Sequence, residues 1–149
     1  MLSQTGLYAL QALLRLAEQE NGAHVPAAVM ARELGIPGTY LAKVLQRLAR
    51  QGILESTRGA RGGYRLLADP ARLTVSEAVA VFQGLRGPET CLLGGPCDPA
   101  QPCNAHLRRV AWNAAAMRIL EETTLADLLT GAPMEPLAAA SHPSPENPR

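Results

Sequence analysis

The hydrophobic pattern of this chain is helical almost throughout and turns strand-like at one place, between Gly52 and Leu67. Ile53-Leu54-Glu55-Ser56-Thr57 and Tyr64-Arg65-Leu66-Leu67 read as two short strands. Arg58-Gly59-Ala60-Arg61-Gly62-Gly63 joins them, and its three glycines permit a hairpin whose backbone adopts dihedrals closed to other residues. Whatever fold the chain adopts must place one small antiparallel hairpin behind a run of helices.

Three helices precede the hairpin. Leu7, Leu10, Leu13, Leu14 and Ala17 recur at helical spacing, so the first twenty residues predict an amphipathic helix that stops at Asn21-Gly22. Pro26 opens a second helix, where its missing N–H costs nothing, and Gly35 ends it. A third begins after Ile36-Pro37-Gly38, carries Leu41, Val44, Leu45 and Leu48 on one stripe, and terminates at Gly52. After the hairpin, Thr74-Val75-Ser76-Glu77 is a capping box for a helix running to about Gln83, closed by Gly84. A longer helix is expected over Asn104 to Glu122, and Thr124 with Asp127 caps a short last one ending at Gly131. Aromatic residues are only 3% of a chain that is 47% hydrophobic, so the core must be built from Leu, Val and Ala, which suits packed helices.

The order helix, turn, helix, hairpin predicts a mainly α fold with a small antiparallel β-hairpin: a winged helix-turn-helix followed by a long C-terminal helix. The divisions expected are 1–84 for the winged domain, 85–103 for a cysteine-bearing loop, 104–131 for the long helix and its short successor, and 132–149 for a proline-rich disordered tail.

Charge separates along the chain. Arg32 to Arg72 holds eight Arg/Lys and three Asp/Glu, a net of +5, so the rest carries −4 to give the overall +1. A single basic segment points to nucleic-acid phosphate. Within it, the apolar stripe of the third helix leaves Thr39, Tyr40, Lys43, Arg47 and Arg50 facing elsewhere. Hydroxyls at a helix start and cations along it suit the major groove. Arg58 and Arg61, set among glycines, suit a narrow minor groove, whose negative potential is enhanced. Each feature alone is common on solvated surfaces and turns. Their order inside one basic segment is what points to DNA. The glycine run lacks a following Gly-Lys-Ser/Thr, which argues against a nucleotide-binding loop.

Cys91, Cys97 and Cys103 are each separated by five residues, and His106 follows three beyond the last, one helical turn away. Gly94, Gly95, Pro96, Pro99 and Pro102 bend the chain between them. Such a loop can wrap one compact object with three thiolates and an imidazole, donors that suit soft metals. Structural zinc sites more often use cysteine pairs two to four residues apart, and none occurs here. An iron–sulfur cluster, a zinc ion and bare thiol chemistry stay as alternatives. His24 and His142 read as ordinary surface residues, and Trp112 as packing within the long helix. Neither a nucleophile–base pair nor paired carboxylates make a catalytic case. Positions 1–20 lack a basic start and a long apolar run, so the expected compartment is the cytoplasm.

The chain resembles the Rrf-type family of winged-helix iron–sulfur transcriptional regulators, whose branches include the IscR, NsrR and RirA regulators. The residues that carry the resemblance are Gly6-Leu7-Tyr8-Ala9-Leu10, Pro37-Gly38-Thr39-Tyr40-Leu41, Arg58 to Tyr64, the cysteine triplet and Thr124-Leu125-Ala126-Asp127-Leu128. It implies a homodimer crossed through the long helix, with Leu107, Val110, Ala114 and Met117 at the contact. It implies that Thr39 and Tyr40 enter the major groove and Arg58 the minor groove of a pseudo-palindromic duplex. It also implies that Cys91, Cys97 and Cys103 hold a cluster, with His106 where the IscR branch places a fourth ligand, which suggests a [2Fe–2S] centre, with a [4Fe–4S] centre as the alternative. Two positions depart from the pattern. The NsrR branch draws a carboxylate from the partner's first helix where this chain has Leu7, and the IscR branch has an acidic residue where this chain has Ala42. The expected function is a DNA-binding regulator, not an enzyme, with affinity set by the cluster. The alternatives are a thiol- or zinc-based redox-sensing repressor on the same fold and a cluster-carrying electron-transfer protein.

Overall fold

The computed structural model describes residues 2–19, 22–59, 62–82 and 100–130. The elements, in chain order, are α1 (Gln4–Ala17), α2 (Ala27–Leu34), α3 (Gly38–Arg50), β1 (Leu54–Thr57), β2 (Gly63–Leu66), α4 (Val75–Ala80), α5 (Asn104–Glu122) and α6 (Leu125–Leu129). The mainly helical fold with one two-stranded antiparallel hairpin is as the sequence predicts. Most of the cysteine loop and the proline-rich tail from residue 131 lie outside the described residues.

Local chemistry sets the boundaries. Ser3 Oγ accepts from the Gly6 N–H at 3.1 Å and starts α1. Pro26 precedes α2, and Gly35 ends it in the left-handed conformation that an L side chain resists. The expected stripe of α3 is the one buried: Leu41, Val44, Leu45 and Leu48. Leu41, Leu45 and Leu48 are wholly inaccessible, and each contributes roughly 1.5–3 kcal/mol relative to exposure. α1 turns a slightly different face inward than expected. Leu13 and Leu14 are buried as predicted, but Ala9, Ala12 and Leu16 join them while Leu7, Leu10 and Ala17 stay half-buried. The alanines let α1 lie close to α3 and α4, which it packs against. An Arg15–Glu33 pair at 2.8 Å links α1 to α2 at the surface.

The hairpin pairs Leu54 with Leu66, Glu55 with Arg65, Ser56 with Tyr64 and Thr57 with Gly63. Leu54 is buried in the helical core and anchors the strand at its base. Val25 extends the sheet by one rung on the β2 side: it and Tyr64 exchange two backbone hydrogen bonds of 2.9 Å. Gly63 is required there. A Cβ at Gly63 would lie 2.5 Å from the carbonyl carbon and oxygen of Val25.

The C-terminal end is tied back to the domain. Val75 N–H donates to the Thr123 carbonyl at 2.8 Å, and Leu125 N–H to the Leu73 carbonyl at 2.9 Å. Leu125 is fully buried in the same core as α1 and α3. Between these ties, α5 buries none of its side chains in the single chain. Trp112 corrects the sequence reading: it is 75% exposed rather than packed, because no element among the described residues covers its side of α5.

Candidate nucleic-acid interface

α2, the Gly35–Pro37 turn and α3 form a helix-turn-helix, with the outer face of α3 and the hairpin exposed beside it. Thr39 is exposed at the first turn of α3, and Lys43, Arg47 and Arg50 follow along the outer face. Tyr40 is partly committed within the chain. Its hydroxyl hydrogen-bonds Thr5 Oγ1, and its ring meets Tyr8 edge-on at 5.7 Å between centroids. The start of α3 is thereby fastened to α1. Arg47 is also engaged: its guanidinium carbon lies 5.4 Å from the centroid of the Phe82 ring, a cation–π contact. Phe82 is buried at the end of the segment that follows α4, immediately before the residues that carry Cys91 and Cys97.

Arg50 and Arg58 both line a groove of about 750 Å³. Gln46 and Arg50 come from α3, Ser56 and Thr57 from β1, and Ala27 and Ala28 from the first turn of α2. With Tyr64 of β2, the groove therefore combines two cations, three hydroxyl-bearing residues, an amide and a helix start. Arg61 lies outside the described residues.

Along the hairpin, above its buried base, lies a cluster that sequence reading passed over. His24 Nε2 lies 3.0 Å from Thr57 Oγ1 and 3.4 Å from Glu55 Oε2, and Glu55 also accepts from the Arg65 guanidinium across the strands. The Arg65 hydrogen bond, with a further contribution from His24, holds the Glu55 carboxyl below its ordinary range, and Glu55 in turn raises Arg65. The sequence taken alone makes His24 a surface residue. The fold makes it a side chain engaged with a strand 33 residues away. A Thr–His–Glu constellation at such separation carries no local signal.

Of the four expected metal ligands, two are described. Cys103 is the exposed N-cap residue of α5, and His106 lies half-exposed one turn later. Cys91 and Cys97 lie outside the described residues. Among the described residues no three His, Cys, Asp or Glu side chains gather. The expected contact stripe is open: Leu107 and Val110 are half-exposed to solvent or more, Ala114 is exposed and Met117 partly so. A second apolar face was missed. Trp112 and Ile119, 75% and 63% exposed, stand two turns apart. With Leu2, Asn113, Ala116, Met117 and Leu120 they line a groove of about 280 Å³. Their i, i+7 spacing was the available signal.

A helix-turn-helix, an adjoining two-stranded wing and a cationic outer face define the chain as a winged-helix DNA-binding regulator. Residues 2–131 match the family model described as Rrf2, iron-dependent transcriptional regulator. The chain belongs to that family of transcription regulators, which are not enzymes. It is 30% identical over 132 residues to the HTH-type transcriptional regulator IscR of Vibrio vulnificus strain YJ016, spanning 87% of this chain and 77% of that one. It is 31% identical over 139 residues to a putative rrf2-like transcriptional regulator of Rhodobacter capsulatus, spanning 87% and 92%. Among solved structures it is similar to T. potens IscR, with a TM-score of 0.65, 25% identity, and 87% and 85% of the two chains covered. It also shares the fold of oxidized Staphylococcus aureus CymR, with a TM-score of 0.72, 22% identity, and 90% and 99% covered. Among the described residues no helix is long and apolar enough to cross a membrane.

Proposed function

We propose that this protein is a homodimeric, sequence-specific regulator whose affinity for a pseudo-palindromic DNA site depends on an iron–sulfur cluster held by Cys91, Cys97, Cys103 and His106. The observation that carries the DNA reading is the groove lined by both Arg50 of α3 and Arg58 of the hairpin. Thr39, Tyr40 and Lys43 face the major groove in this reading. Arg58 and Arg61 take the adjacent minor groove, and Arg47 and Arg50 pair with phosphate.

The donor chemistry supports the metal reading. Cys103 and His106 stand one turn apart at the start of α5, and Cys103 is open to solvent. Thiolate charge at a helix start is favoured by the macrodipole, and three thiolates with one imidazole match the set that iron–sulfur centres take. When bound, a [2Fe–2S] cluster supplies a one-electron redox centre and a change of local charge. The chain's own part is mechanical. α5 starts at the ligands and ends in the Thr123–Val75 and Leu125–Leu73 bonds, so a shift at its first turn reaches the core of the winged domain through one rigid helix. The exposed apolar faces of α5 support its covering by a second copy.

The test starts with a duplex selected from random 30-mers by the anaerobically purified protein. Arg58→Ala should weaken binding to it by about 1–3 kcal/mol. Unchanged affinity would remove the minor-groove role. Absorption spectra with and without iron, read beside the affinity for that duplex, separate an iron–sulfur centre from zinc or bare thiols.

A further inference from the structure

We infer that His24 is the positioning residue of the wing: by gripping Thr57 and Glu55 it sets where Arg58 stands over the groove, without itself touching DNA. The inference rests on the DNA reading proposed above.

A two-stranded hairpin is marginal in water, so something must hold this one. Its base is held by apolar burial, since Leu54 is inaccessible and Tyr64 and Leu66 pack on the helical core. That anchorage does not reach the far end. Ser56, Thr57, Arg58 and Gly59 are all exposed. The two strands are then restrained by different means. On the β2 side, Tyr64 exchanges two backbone bonds with Val25, and Gly63 lies against the Val25 backbone too closely to admit a Cβ. On the β1 side, the described tether to the helical body is the His24 imidazole, 3.0 Å from Thr57 Oγ1 and 3.4 Å from Glu55 Oε2.

His24 and Val25 are consecutive, so one short segment grips both strands: His24 by its side chain, Val25 by its backbone. That segment runs into Pro26 and the first turn of α2, where Pro26, Ala27 and Ala28 line the same groove as Arg50 and Arg58. Thr57 is the residue before Arg58. A grip on Thr57 therefore fixes the root of the arginine relative to the helix-turn-helix. Among the described residues, the charged groups around His24 are Glu55 of β1 and, beyond it, Arg65 of β2, which shares the same carboxylate. Glu55 is thus the junction of the grip and the cross-strand pair.

The experiment is a double-mutant cycle between His24 and Arg58, read as affinity for the selected 30-mer and for a scrambled duplex at fixed salt. His24→Ala should weaken binding to the selected duplex about five-fold, the size of one hydrogen bond, and leave the scrambled duplex unchanged. In the Arg58→Ala background the same substitution should have no effect, because the residue it positions is gone. His24→Gln, which can still reach a hydroxyl and a carboxylate, should restore parental affinity. Thr57→Val, which removes the gripped hydroxyl and keeps the shape, should reproduce the five-fold loss and serves if His24→Ala does not fold. Parental affinity in His24→Ala or Thr57→Val overturns the inference, as do losses that multiply in the double variant. If the parent selects no sequence, the DNA reading falls and this inference with it.

Discussion

Thr74 and Thr124 face each other across an antiparallel bridge, and each is the N-cap of its own helix. Thr74 Oγ1 accepts from the Glu77 N–H at 3.2 Å, and Thr124 Oγ1 accepts from the Asp127 N–H at the same distance. Two capping boxes are thus set back to back. One starts the helix that leads toward the cysteine loop. The other starts the helix that receives the end of α5. The joint brings the starts of α4 and α6 together at a single point.

That joint should be stable out of proportion to the length of α6. Leu125→Ala removes a fully buried side chain and should cost about 2–5 kcal/mol. Thr124→Ala removes only the cap and should cost about 1 kcal/mol. Urea unfolding of the two variants checks the order, and equal losses would show that α6 is held by its cap rather than by Leu125.

The same joint carries an acid dependence. Asp127 is held below its ordinary value of 3.8 by the Thr124 hydroxyl and then by the Thr124 backbone N–H. A depressed carboxyl stabilises the fold above its unfolded value, and that contribution drains away as pH falls through the lower folded value. Stability should therefore decline on acidification below about pH 4. Asp127→Asn should shrink that decline and leave the share that the depressed Glu55 carboxyl contributes. A profile identical to the parent's in urea melts between pH 2 and about pH 6 would remove the assignment.

The fold was legible where its determinants are local. α3 was read residue for residue, because Leu41, Val44, Leu45 and Leu48 repeat at one period and Gly38 and Gly52 bracket them. α1 was read as a helix but with a rotated face. Ala9 and Ala12 are buried because they permit close approach, and hydropathy ranks them below Leu7 and Leu10. The outer face of α3 was legible as cationic, but its private contacts were not. Tyr40 meets Thr5 35 residues away, and Arg47 meets Phe82. Such pairings are decided by packing between elements. The same holds for His24, whose partners sit on a strand that only the hairpin register brings near it.

Gly63 and Gly52 should respond differently to alanine. At Gly63 the new Cβ would collide with the Val25 backbone, which cannot give way without breaking the Val25–Tyr64 rung. Gly63→Ala should cost about 1–3 kcal/mol and loosen the wing. Gly52 has φ +72° and open space around it, so Gly52→Ala should cost only the left-handed penalty, roughly 1–2 kcal/mol. Amide exchange at Tyr64 separates the two: it should accelerate in Gly63→Ala and stay as in the parent in Gly52→Ala.

Arg47 and Lys43 stand one turn apart on α3, yet among the described residues only Arg47 has an aromatic partner. Arg47→Ala should lose about 0.5–1 kcal/mol of stability, whereas Lys43→Ala should stay within about 0.5 kcal/mol of the parent. Both should weaken DNA binding and lower its salt dependence. If Arg47→Ala leaves stability unchanged while weakening DNA binding as Lys43→Ala does, the contact with Phe82 carries no weight.

The last prediction uses the single tryptophan of the chain. Trp112 stands 75% exposed on α5, and Ile119 lies on the same side two turns later. Leu107 and Val110 occupy another face, about 140° and 160° around the helix from Trp112 at 100° per residue. A helix with apolar residues on two faces and none buried needs cover on both, and the proposed dimer, two copies crossing at α5, would supply it. Dimerisation should therefore bury Trp112 in the groove beside Leu2, Met117 and Leu120. Its emission should shift to the blue as the protein is concentrated, in step with the mass measured by light scattering. Ile119→Asp places a charge in that groove and should yield a monomer with water-like emission at every concentration. Val110→Asp should also weaken the dimer, through the other face, without altering the emission of whatever dimer remains. If the protein dimerises while Trp112 keeps a water-like spectrum, the Leu107 and Val110 face alone forms the contact, and the Trp112 groove is left open on the outside of the dimer.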